Sequence, residues 1–214
     1  MRIELRNDSV IIDGYVNAVE RDSKPLWSRV GRFIERICAG AFDKAIKRND
    51  DIHILLNHNW DKDLGSTKAG NLELKEDNIG LKARAEITDK EVIEKARAGR
   101  LVGWSFGFTD VDVENGNING MPTRAVKDLN LFEVSILDDT KTPAYNGTLV
   151  TVRAEGDEAE YRAETFNDGV EVIDNTEDVK EREETKEEPQ QTDKTAEAID
   201  YTKYENLIKE MKGE

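Results

Sequence analysis

Residues 101–109 read Leu101-Val102-Gly103-Trp104-Ser105-Phe106-Gly107-Phe108-Thr109, LVGWSFGFT. Extended as a strand, the stretch sends successive side chains to opposite faces. Trp104, Phe106 and Phe108 then share one bulky face suited to a core. Gly103, Ser105 and Gly107 share the other, which carries almost nothing but a hydroxyl. Glycine inside a strand weakens it and marks a close approach of backbone or ligand. With glycines on both sides, a substrate could reach Ser105. The alternative is a tightly packed crossing in which Ser105 is a small filler, and on nine residues alone that alternative leads.

The neighbouring sequence reads as short strands with few helices. Arg2–Leu5 and Val10–Tyr15 form two strands around an Asn7-Asp8 turn, and residues 21–32 read as a loop anchored by Trp27. Ala41, Phe42, Ala45 and Ile46 have helical spacing. Ile52–His58 is a buried-type strand that ends in a polar turn over residues 59–63. Leu72–Lys75 and Gly80–Ile87 read as a hairpin. Thr88-Asp89-Lys90-Glu91 opens a helix, with Val92, Ile93 and Ala96 on one face and Gly99 as its stop. After Thr109 a hairpin is expected to turn at Asn115-Gly116 and return through Thr123–Leu137. In its last part Glu133 and Ser135 alternate with apolar residues, and a carboxylate so placed is costly unless it is bonded. The pattern predicts a mainly β fold with some α, a barrel or a folded antiparallel sheet.

Charge divides the chain. Residues 155–214 hold 21 of the 46 acidic side chains but only 8 of the 31 basic ones, so residues 1–154 are close to neutral. The expected organisation is a domain over 1–153, an acidic disordered linker over 154–195, and a short amphipathic helix over 196–214. Tyr204, Leu207, Ile208 and Met211 form the stripe of that helix. An acidic chain without a basic patch is a poor nucleic-acid binder. No apolar run has membrane-spanning length, and the N-terminal MRIELRNDS does not read as a secretory signal, so a cytoplasmic setting and no membrane partner are expected. The single Cys38 permits no internal disulfide and is read as a small hydrophobe.

The two histidines, His53 and His58, are five apart on an extended segment and cannot easily share a ligand. Asn59, Asp61 and Asp63 match three calcium-loop positions, but Leu64 stands where glycine is required and Gly70 where the bidentate glutamate belongs. No metal or other cofactor is expected. What remains is nucleophilic chemistry: a serine needs a base, and a histidine base needs a group that fixes its tautomer. His58, Ser105 and Glu133 supply these types, though spacing alone does not bring them together.

Five segments, GYVNAV from Gly14, ERICAGAFDKAI from Glu35, LLNHNWDKDLG from Leu55, GRLVGWSFGF from Gly99 and LFEVSILDDTKTPA from Leu131, resemble in order the prohead (capsid maturation) serine proteases of tailed phages. These are similar in fold to the herpesvirus assembly proteases. The resemblance covers residues 14–145. It implies a small antiparallel β-barrel with peripheral helices, with His58, Ser105 and Glu133 as catalytic residues; Ser135, two residues from Glu133 on the same strand face, is placed to help orient the carboxylate. Gly103 and Gly107 would then floor a substrate cleft, and the loop Leu137–Thr140 is an expected source of oxyanion donors. The implied partners are the major capsid protein precursor with its scaffolding segment, the protease itself as a substrate, and a second copy in a dimer. The implied place of action is the assembling prohead in the bacterial cytoplasm. Two other readings stay open: a catalytically silent assembly or scaffolding protein that keeps the protease body, and a serine hydrolase of small esters.

Overall fold

The structure, a computed structural model, describes residues 1–28, 31–141, 152–153, 158–164 and 170–176. In chain order the elements are β1 (Arg2–Leu5), β2 (Val10–Ala18), β3 (Leu26–Ser28), β4 (Gly31–Ile37), α1 (Ala41–Arg48), β5 (His53–Leu56) and β6 (Asn59–Ser66). There follow β7 (Leu72–Glu76), β8 (Gly80–Ile87), α2 (Lys90–Arg97), β9 (Leu101–Ile118), β10 (Met121–Asp138), a 3₁₀ turn Asp139–Lys141, β11 (Val152–Arg153), β12 (Glu158–Glu164) and β13 (Glu171–Asp174). Among the described residues, no helix is long and apolar enough to cross a membrane.

The strands form two sheets. One runs β13-β1-β2-β8-β7, and the other runs β11-β12-β9-β10-β4-β3, with β5 on β10 and β6 on β5. The architecture is mainly β with α, as expected, with two α-helices among the described residues, but the described sheets do not form the expected barrel. The far edge of β10 is divided between two parallel partners, β4 at Thr123–Val126 and β5 at Glu133–Ile136. Among the described residues no strand continues round to close either sheet, so both are open.

The alternation of LVGWSFGFT fixes the core. Trp104, Phe106 and Phe108 are fully buried together with Ile3, Ile12 and Phe42. Phe106 stacks on Phe108 with ring centroids 5.2 Å apart and meets Phe42 of α1 edge-on at 5.3 Å. Each such ring contributes roughly 1.5–3 kcal/mol through burial. Gly14 of β2 leaves room for the Trp104 indole, which a Cβ there would meet at 3.0 Å. Arg48, in the last turn of α1, fixes the helix to β10 through both oxygens of Asp128 and the carbonyl of Leu129.

Several local expectations change. The β9–β10 hairpin turns at Asn119-Gly120, both at positive φ, and not at Asn115-Gly116. Both dipeptides have turn chemistry, but the chosen one sets Val113 opposite Val126 and Phe108 opposite Leu131. The supposed loop at 21–32 contains β3, in which Leu26 points inward while Trp27 is 59% exposed under Arg32. Leu26, and not Trp27, is the residue by which this segment meets the core. Residues 59–63 are not a turn but part of β6, whose polar face looks outward. Strands β12 and β13 lie within the stretch 154–195 that composition assigns to a linker. The rest of that stretch is largely outside the described residues, as is the helix expected over 196–214.

Candidate active site

His58 sits at the tip of the β5–β6 hairpin. Asn57 and His58 both have positive φ (57° and 58°), a two-residue reversal between Leu56 and its partner Asn59. Left-handed backbone costs a non-glycine residue roughly 1–3 kcal/mol and persists only where surroundings enforce it. Here β10 enforces it. The Asn57 N–H donates to the Ile136 carbonyl at 2.9 Å, the His58 N–H donates to Ser135 Oγ at 3.0 Å, and Asn57 Oδ1 accepts from the Asp138 N–H at 3.1 Å.

Glu133 of β10 is fully buried, and its two oxygens have separate partners. Oε1 lies 2.8 Å from His58 Nδ1, and Oε2 accepts the Ser135 hydroxyl at 2.5 Å. A carboxylate opposite Nδ1 calls for the proton on that nitrogen, which leaves Nε2 as the acceptor of the ring. Ser135 thus receives the backbone of the histidine and donates to its carboxylate. The burial cost of Glu133 is met by these bonds.

On β9, Gly107 lies opposite Glu133 and Ser105 opposite Ser135. A Cβ on Gly107 would meet Glu133 Oε1 at 2.5 Å, Phe132 Cε2 at 2.7 Å and Tyr161 Cε1 at 2.9 Å. The bare face at Gly107 is therefore filled by the protein's own carboxylate and aromatic rings, and is not an open floor for substrate backbone. Gly103 lies opposite Leu137 and is buried. Ser105 is itself fully buried, and its hydroxyl donates to the Arg162 carbonyl at 2.6 Å. No hydrogen bond joins it to His58.

Sequence reasoning missed β12. This strand pairs antiparallel with the other edge of β9, placing Tyr161 beside Gly107 and Arg162 beside Phe106. The Tyr161 ring meets His58 edge-on at 4.6 Å and Phe132 at 6.2 Å. Burial pushes its phenol above the ordinary range, the Glu133 charge adds to this, and a hydrogen bond with Trp60 opposes it. Arg162 points the other way, its guanidinium gripping Glu35 at 2.5 and 2.8 Å over the Phe108 ring. Glu35 also meets Arg124 at 3.0 Å, and Arg124 reaches Glu160 at 2.9 Å. The one available signal was Tyr161, an aromatic residue with alternating neighbours inside an acidic run.

Three N–H groups of the expected oxyanion loop Leu137–Thr140 are already taken. The N–H groups of Asp138, Asp139 and Thr140 are taken by Asn57 Oδ1, the Arg100 carbonyl and Asp138 Oδ1. His53 pairs with Asp63 at 2.8 Å and takes no part in the His58 cluster. Among the described residues, no group of three or more His, Cys, Asp or Glu side chains is arranged to hold a metal ion.

The histidine–carboxylate pair thus joins the tip of the β5–β6 hairpin to β10, the strand laddered to the one that carries the buried Ser105. Residues 1–162 match the family model described as caudovirus prohead serine protease. The chain belongs to this family. Membership implies a serine protease of capsid maturation that meets phage capsid proteins and acts within the assembling prohead of the host. No curated protein and no solved structure matches the chain.

Proposed function

We propose that the chain is an endopeptidase that cleaves the major capsid protein precursor, its scaffolding segment and the protease itself during prohead maturation. Ser105 is the nucleophile, His58 the general base and acid, and Glu133 the group that orients His58. The observation that carries this reading is the 2.8 Å pair between His58 Nδ1 and Glu133, on a strand laddered to that of Ser105.

In this reading Ser105 Oγ attacks the carbonyl carbon of a peptide bond while its proton passes to His58 Nε2. The tetrahedral intermediate collapses when His58 returns that proton to the leaving amine. Water then attacks the acyl-serine, giving a proton to His58, which restores it to Ser105 Oγ as the acid product leaves. Glu133 keeps Nδ1 protonated and supports the imidazolium. Before the first step the Ser105 hydroxyl has to turn from the Arg162 carbonyl towards His58.

A second reading, the catalytically silent assembly protein, is favoured by one observation: the Ser105 hydrogen bond goes to Arg162 and not to His58. Co-expression with the capsid precursor, read by intact mass, separates the two. Wild type trims the precursor and Ser105→Ala does not. Equal trimming by both chains, or none by either, defeats the endopeptidase reading.

A further inference from the structure

One edge of β9 is taken by β10 and the other by β12, so the strand that carries Ser105 has no free edge along Trp104–Phe108. Extended peptides bind proteases and other domains by adding a strand to such an edge, with side-chain pockets on one face giving selectivity. In this chain that place is filled from within. The Arg162 carbonyl sits 2.6 Å from Ser105 Oγ, and Tyr161, 7% exposed, fills a pocket made by Gly107, Phe132 and the His58 ring. We propose that Glu160–Arg162 of β12 stand in the substrate's position: peptide substrates seat an aromatic side chain where Tyr161 lies, and β12 must leave β9 first.

The contact has the features of occupation without reaction. The Ser105 hydroxyl points its proton at the carbonyl oxygen. Attack needs the oxygen lone pair on the carbonyl carbon and the proton on His58 Nε2. The internal strand therefore blocks the nucleophile and is not cut in this arrangement. Alternation along β12 separates two tasks. Tyr161 faces the cluster of His58 and Glu133, while Arg162 faces Glu35, 4% exposed, and holds the strand down through charges that a peptide arriving from solution need not replace. A strand that merely covers an edge against aggregation would require neither the ring on His58 nor the carbonyl on Ser105. The inference rests on the protease reading above.

The test uses the full chain as wild type and as Tyr161→Ala. Anisotropy measures binding of the fluorescein-labelled peptide Ala-Glu-Tyr-Arg-Ala-Glu, which is residues 159–164, and of its analogue with alanine for tyrosine. Intact mass follows labelling of Ser105 by an alkyl fluorophosphonate. Tyr161→Ala should bind the tyrosine peptide about tenfold or more tighter than the analogue, as expected for burial of one aromatic ring. Its Ser105 should be labelled about tenfold faster than in wild type, and the tyrosine peptide should slow that labelling. If Tyr161→Ala does not fold, Glu35→Gln, which loosens Arg162 and leaves the pocket intact, should also speed labelling. Equal labelling of variant and wild type, or equal binding of both peptides, overturns the proposal and leaves the protease reading standing. No labelling of any chain overturns the protease reading and this proposal with it.

Discussion

The Glu133 carboxylate lies over the bare Cα of Gly107 on the neighbouring strand, 2.5 Å from where a Cβ would stand. The missing methyl is what allows the carboxylate to reach His58. Gly107→Ala should therefore cost about 1–3 kcal/mol through overpacking, with no backbone strain, since φ at this position is ordinary. Because the displaced atom is Oε1, precursor cleavage should fall more steeply than stability. Urea denaturation and a cleavage time course on the same preparation check this.

Ser135 joins the histidine backbone to the glutamate. Ser135→Ala leaves the part-buried His58 N–H without its acceptor and the buried Glu133 Oε2 without its donor. Losing a buried partner costs about 1–3 kcal/mol. A lowered thermal midpoint together with slower cleavage is expected, and an unchanged midpoint would refute this account of the turn.

Glu133→Gln keeps the shape of the side chain and removes its charge. If Glu133 fixes the tautomer of His58, kcat on precursor should fall by about 10³–10⁴-fold while the circular dichroism spectrum stays that of wild type. A loss below about tenfold would mean that the histidine is oriented by its turn alone.

Acid should destabilise the protein partly through Asp138. Burial alone would push this carboxyl up, but the Lys95 ammonium at 2.6 Å and the Thr140 and Asn57 contacts hold it well below the usual carboxylate range. Glu91, hydrogen-bonded by Lys62 and Lys95, is lowered to about 2. A carboxyl with a depressed folded pKa stabilises fully above its unfolded value of about 4 and loses that contribution as pH falls. The urea midpoint should drop between about pH 5 and pH 2. In Asp138→Asn the plateau near neutrality should be lower and the acid fall shallower.

The face carrying Ser105 could be read from the sequence because strand alternation is local, and three aromatics on one side leave little choice. His58 and Glu133 could be named as chemical types, yet their meeting depends on the parallel pairing of β5 with β10. That pairing joins residues about 80 apart and leaves no periodic trace. The choice between Asn115-Gly116 and Asn119-Gly120 was equally hidden, because two identical dipeptides differ only in the cross-strand partners they bring together. Arg162 was obscured for another reason. In an acidic run its charge looks like one more solvated residue, and only the fold reveals that Glu35, 127 positions away, is waiting for it. Closure of the barrel was misjudged because nothing local shows that one strand will share its edge between two partners.

Ser105 with Ser135 and Gly107 with Glu133 form two cross-strand pairs of a single hairpin, separated by one rung and on the same face. Sliding one strand by a single residue would drive Trp104, Phe106 and Phe108 into the face already filled by Glu133, Ser135 and Tyr161, so the spacing of the cluster is guarded by the packing of both faces. Heat or urea should then leave no intermediate in which the sheet survives with a loosened cluster. Function and tertiary structure should disappear at one and the same midpoint.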